Sequence, residues 1–128
     1  MAKFMAKKVL IIDDEKDILA SLSSYLTRNG YDVKSADNGK DGLQLVKEEK
    51  PHLIILDLML PDIDGSDIAA HLLGDPQTRD IPVVFLTSML RKGEQLESGT
   101  QIGNRCIIAK PCSSEEILTC IKDRIGAP

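Results

Sequence analysis

The sequence predicts an α/β domain: a doubly wound (βα)5 unit whose parallel five-stranded sheet carries helices on both faces. Two observations point there. Short apolar runs alternate along the chain with segments of helical periodicity. The runs are apolar throughout rather than at every second residue, which suits strands covered on both sides, as in a parallel sheet. Right-handed crossovers then divide the helices between the two faces.

The elements follow in order. "VLII" (9–12) reads as the first strand. "ILASLSSYLTRNG" follows with Ile18, Leu19, Leu22, Tyr25 and Leu26 at helical spacing and Gly30 placed to end the helix. "YDVKSA" (31–36) is a weaker strand. "NGKDGLQLVKEEK" is a shorter helix with Leu43 and Val46 inward, although its glycines each cost about 1 kcal/mol in a helix interior. "LIIL" (53–56) is the most apolar strand, and the loop "PDIDG" turns the chain after it. "SDIAAHLLGD" is a helix with Ile68 and Leu72 inward, and "PVVFLT" (82–87) is the fourth strand. Residues 88–104 hold Gly93, Gly99 and Gly103 and few apolar side chains, so the fourth helix due there should be short or poorly packed. "RCIIA" (105–109) is the fifth strand. "SSEEILTCIKDRI" closes the chain as a helix, opened by a Ser113/Glu116 capping box, with Ile117, Leu118, Ile121 and Ile125 as its buried stripe.

The 128 residues suit one domain over 1–128, with a core of about 8–125 and no second domain. With 42% hydrophobic, 28% charged and 3% aromatic residues, the chain has the balance of a globular protein with an aliphatic core. A net charge of −4 argues against direct nucleic-acid binding, which needs basic surface. No apolar run approaches the ~20 residues of a membrane helix. The start "MAKFMAKKVL" lacks the apolar segment of a signal peptide, so a cytoplasmic location is expected. Cys106, Cys112 and Cys120 have no CxxC spacing, and only two His accompany them; they read as small packed side chains rather than a zinc or redox site.

Two apolar strands end in acids, "KVLIIDDE" and "LIILD". In an open parallel sheet, ligands bind beyond the carboxyl ends of the strands. Asp13 and Asp14 end the first strand, Asp57 the third, Thr87 the fourth and Lys110 the fifth, so all five gather on one edge. Each alone is what any loop start provides. Together the three carboxylates repel unless one protonates or a cation sits among them. Oxygen donors without His or Cys suit a hard ion, Mg2+ before Mn2+ or Ca2+. Asp57 on a rigid strand end can then act as a nucleophile that forms an aspartyl phosphate, with Lys110 and the Thr87 hydroxyl facing the phosphoryl oxygens. Gly65 lets the loop turn sharply, and Asp62 and Asp64 read as solvated loop residues.

With "DDE" (13–15), "DLMLPDIDG" (57–65), "LTS" (86–88) and "KP" (110–111) in order, the chain resembles the receiver domain of two-component response regulators over residues 8–125. The resemblance implies a flavodoxin-like sheet of order 2-1-3-4-5. It makes Asp57 the phosphoacceptor, with Asp14, Asp57 and the Met59 carbonyl as direct Mg2+ ligands (Mn2+ substituting) and Asp13 holding metal-bound water. It makes Thr87 the switch hydroxyl, sets Ser88 beside the bound phosphoryl group, pairs Lys110 with that group and implies a cis Lys110–Pro111 bond. It also implies a sensor histidine kinase or His-phosphotransfer protein as donor and a downstream protein target. Two positions depart from the family pattern. Ile107 stands where many receivers carry Tyr or Phe, and Cys112 where Phe is common. With no ring at Ile107 to swing, segment 88–104 is the expected mobile element. Met59 and Met89 flank the approach of water and cannot orient it, so slow self-dephosphorylation is expected.

Two rivals remain at this point. A metal-dependent phosphatase with an Asp nucleophile tends to carry a second acid two residues on, where this chain has Met59. A non-catalytic flavodoxin-like binding module would want a Ser/Thr/Gly-rich phosphate loop after the first strand, where this chain has "DDEKD".

Overall fold

The computed structural model describes residues 6–88, 100–102, 105–110 and 112–128. Strands β1 (Lys8–Ile12), β2 (Asp32–Ala36), β3 (Leu53–Asp57), β4 (Val83–Thr87) and β6 (Arg105–Ala109) are parallel, and a short β5 (Thr100–Ile102) runs antiparallel to β6. The sheet order is β2-β1-β3-β4-β6-β5. The five parallel strands therefore take the expected 2-1-3-4-5 order. A sixth, antiparallel strand extends this five-stranded parallel sheet, because Thr100–Ile102 pairs with the outer edge of β6. Such pairing leaves no hydrophobic period in three residues. The rest of the fourth helix expected within 88–104 lies outside the described residues, apart from Ser88.

Four helices complete the described fold: α1 (Lys16–Arg28), α2 (Gly39–Glu49), α3 (Gly65–Leu73) and α4 (Ser114–Ile125). Alternate side chains of β1, β3, β4 and β6 feed two cores. On one face Val9, Ile11, Leu53, Ile55, Val84 and Leu86 pack under Leu22 and Leu26 of α1 and Ile117 and Ile121 of α4. On the other, Leu10, Ile12, Ile54, Leu56 and Phe85 pack under Val46 of α2 and Ile68 and Leu72 of α3. Ile107 joins this second core, buried, so the missing aromatic is replaced by ordinary aliphatic packing. The helix ends follow local chemistry. Asn29 caps α1 with Gly30 after it at φ 98°, and the Ser113 hydroxyl accepts the Glu116 N–H at 3.1 Å to open α4.

The glycine of α2 that weighed against a helix has a packing reason. A Cβ on Gly42 would sit 2.6 Å from Ile12 Cδ1, so the helix lies closer to β1 than alanine allows. Gly65 is tighter still. It opens α3 where its N–H donates to Leu58 O at 2.9 Å, and an added Cβ would stand 2.5 Å from Asp57 O and 2.6 Å from Leu58 Cα. Backbone cannot yield as a side-chain tip can. Gly65→Ala should therefore cost about 1–3 kcal/mol in urea unfolding and displace the strand end that carries Asp57. An unchanged midpoint would show that the loop relaxes freely.

Candidate functional site

The carboxyl edge of the sheet gathers the polar strand ends. Asp13 follows β1, and its main-chain N–H donates to Ala36 O at 3.1 Å. Asp13 is fully buried, Asp57 at the end of β3 is 4% exposed, and Thr87 at the end of β4 is 1% exposed. Asp14 is exposed. One carboxylate oxygen each from Asp13, Asp14 and Asp57 lie within 4.8 Å of one another. Apolar strands hold these acids in place: four aliphatic residues of β3 anchor Asp57 from below, and its register against Leu86 sets it beside the end of β4.

Lys110 enters from the end of β6, where its N–H donates to Thr87 O at 2.8 Å. Its Nζ lies 3.0 Å from Asp13 Oδ2, 3.1 Å from Asp57 Oδ2 and 2.9 Å from Glu15 Oε1. Asp57 Oδ1 accepts the Met59 N–H at 3.0 Å, and Asp13 Oδ1 accepts the Glu15 N–H at 2.9 Å. The Asp13 Oδ2 contact with Lys110 is an ion pair without hydrogen-bond alignment, so this buried oxygen has no hydrogen-bond donor among the described residues. Three carboxylates thus face one ammonium, with Asp14 beside two of them.

The charges respond accordingly. Burial pushes the Asp13 carboxyl above the usual carboxylate range; the Glu15 N–H and Lys110 pull it back, while the negative charge of Asp57 adds to the rise. Burial would lower the Lys110 ammonium, but its close contacts with the Glu15, Asp13 and Asp57 carboxylates outweigh this and hold it above its ordinary value. Lys110 is therefore a fixed positive charge.

The expected residues Asp13, Asp14, Asp57 and Lys110 come together, and Thr87 closes the adjacent strand end with the exposed Ser88 after it. Met59 follows Asp57 by two residues with its side chain 54% exposed. Met89 and the Lys110–Pro111 bond lie outside the described residues. Two residues have roles that the sequence reading did not give them. Glu15 is a third acid on Lys110. Asp62 is no idle loop residue: its carboxylate accepts the N–H groups of Gly39 at 2.7 Å, Lys40 at 2.9 Å and Ile63 at 3.0 Å. It caps α2 from the loop after Asp57 and is held below the usual carboxylate range by the Gly39 and Lys40 N–H groups.

An acid cluster and a lysine on the carboxyl edge of a 2-1-3-4-5 sheet define the receiver class. A family model described as the response regulator receiver domain matches residues 9–122, and the chain belongs to that family. The alkaline phosphatase synthesis transcriptional regulatory protein PhoP of Bacillus subtilis is 37% identical over 120 residues, covering 92% of this chain and 48% of the relative. The chain thus spans about half the length of that curated protein. Among solved structures, the chemotaxis response regulator CheY4 of Vibrio cholerae is 25% identical with a TM-score of 0.81, covering 94% of this chain and all of that one. The receiver domain of the sensor histidine kinase PA1611 of Pseudomonas aeruginosa shares the fold at 20% identity and a TM-score of 0.81 over 96% of this chain and 100% of that one. That structure has a magnesium ion coordinated in its active-site cleft. No helix among the described residues of the present chain is long and apolar enough to cross a membrane.

Proposed function

We propose that this receiver domain accepts a phosphoryl group on Asp57 from a sensor histidine kinase or a His-phosphotransfer protein and thereby changes the surface it offers a downstream protein. One observation carries the reading: a nearly buried strand-end carboxylate lies 3.1 Å from a lysine and within 4.8 Å of two further acids. The donor set fits a hard divalent ion. All its side-chain donors are carboxylate oxygens, and among the described residues the buried Asp13 Oδ2 meets the Lys110 ammonium as an ion pair with no hydrogen-bond donor besides. Asp13, Asp14, Asp57 and the Met59 carbonyl would hold Mg2+, with Mn2+ as substitute. When bound, the ion supplies positive charge against the phosphoryl oxygens.

The chain's own residues do the rest. An Asp57 oxygen bonds to phosphorus as the bond to the donor imidazole nitrogen breaks, and the nitrogen keeps the electron pair. Lys110, already fixed between Asp57 and Asp13, pairs with a phosphoryl oxygen. The Thr87 hydroxyl takes another, with Ser88 beside it. Met59 offers no acid or base two residues after the nucleophile, which disfavours phosphatase turnover on an external substrate. The same lack at Met59 and Met89 supports slow self-dephosphorylation. Phosphohistidine donors are charged by ATP, so the reading puts the domain in the cytoplasm; its net charge of −4 argues against nucleic-acid binding of its own.

Incubation with acetyl phosphate and Mg2+ should give a single phosphoadduct, and Asp57→Ala should abolish it. Undiminished labelling of that variant would sink the assignment. After the donor is removed, the adduct should persist for minutes or longer; loss within seconds would mean that water is oriented by some other group.

A further inference from the structure

Cys106 is the second residue of β6, opposite Val84 of β4, and is 1% exposed. Cys120 lies in α4, half-buried against the same core. Their sulfurs are 3.1 Å apart. That is about 1 Å longer than a disulfide bond and closer than two unbonded sulfur atoms normally rest. Both ends are rigid. The strand ladder fixes Cys106, while Ile117, Leu118 and Ile121, all buried, fix the helix around Cys120. Little backbone movement separates the contact from a bond.

We infer that Cys106 and Cys120 are a dithiol site that a hydroperoxide closes to an intramolecular disulfide. The more accessible Cys120 sulfur attacks the peroxide O–O bond, giving a sulfenic acid and releasing water or an alcohol. The Cys106 sulfur then attacks the Cys120 sulfur, and water leaves with the second thiol proton. The dithiol loses two electrons and the peroxide gains them. Burial, with the Cys106 contact and the nearby Asp123 charge, pushes the Cys120 thiol up to about 12 against the opposing pull of Arg124. At neutral pH Cys120 therefore rests as a thiol, which sets a high threshold for oxidation. The bond joins α4 to the strand that leads into Lys110, four residues after Cys106. The inference does not depend on phosphoryl transfer.

The test uses the full chain, reduced and then treated while folded with excess hydrogen peroxide. Intact mass should fall by two hydrogens. One alkylatable thiol, Cys112, should remain, and peptide mapping should link Cys106 to Cys120. Dithiothreitol should reverse all of this. The oxidised form should melt about 5–10 °C higher, since the bond closes a short loop of the unfolded chain. Cys112→Ser should retain the link, and Cys120→Ser should lose it. Mapping on the unmutated chain needs no variant to fold. Three alkylatable thiols after treatment, a link through Cys112, or sulfinic acid at Cys120 without a link would each overturn the inference.

Discussion

Lys110→Met should accept phosphate from acetyl phosphate about 100-fold more slowly than the unaltered protein, or worse, the usual loss when one fixed charge facing a transferring group is removed. Methionine keeps the length and apolar stem of the side chain and deletes only the ammonium. The same change should act oppositely on the metal. The Lys110 ammonium lies 3.0 Å from Asp13 and 3.1 Å from Asp57, among the oxygens that an ion would take. Removing it relieves repulsion of a second cation, so Mg2+ should bind several-fold more tightly by calorimetry. In a chelator, the variant leaves two buried carboxylates without their partner and should lose about 3 kcal/mol, which Mg2+ should restore. Slower labelling with weaker Mg2+ binding would point to a collapsed site instead. A variant that labels at the normal rate would remove Lys110 from the chemistry.

The residues that gather at the candidate site were legible because each ends an apolar run. Residues 53–56 can only be a buried strand, so the acid at Asp57 must stand at its edge; Asp13, Thr87 and Lys110 follow the same logic. Parallel strands turn that one-dimensional pattern into a shared edge. What was missed depends on contacts between residues far apart in the chain. Asp62 reaches back to Gly39 and Lys40, and "PDIDG" carries no mark of that bond beyond an acid in a loop. Glu15 is only the last letter of "DDE", with no role of its own, until Lys110 arrives beside it. Cys106 and Cys120 have no motif spacing; they meet because β6 and α4 pack face to face. β5 has three residues and is held by main-chain pairing, to which side-chain periodicity is blind. The glycines of α2 argued against a helix on propensity alone. Tertiary packing against Ile12 decided otherwise.

Divalent cation and pH should act on stability through the same acids. At about 100 times its Kd, a bound ion adds about 2.7 kcal/mol to folding, so saturating Mg2+ should raise the melting temperature, and Asp14→Ala should remove most of that gain. The pH profile in a chelator should turn over. Asp62 has a folded pKa below its ordinary 3.8, so its contribution is present above that value and lost as pH falls through the lower one. Asp13 has a folded pKa above 3.8. Its contribution is complete below 3.8 and is lost as pH rises through the higher value, because the charged form is disfavoured by burial and by Asp57. The two windows lie on opposite sides of the same point. Urea midpoints in chelator should therefore climb as pH rises toward about 4 and then decline, and Asp13→Asn should flatten only the upper arm. Mg2+ should flatten that arm in the unaltered protein too, since the ion favours the charged carboxylate that burial opposes. A chelated protein whose stability rises steadily from acid to neutral pH, with Asp13→Asn following the same curve, would show that Lys110 alone compensates the buried acid and that no cation is needed to hold the site together.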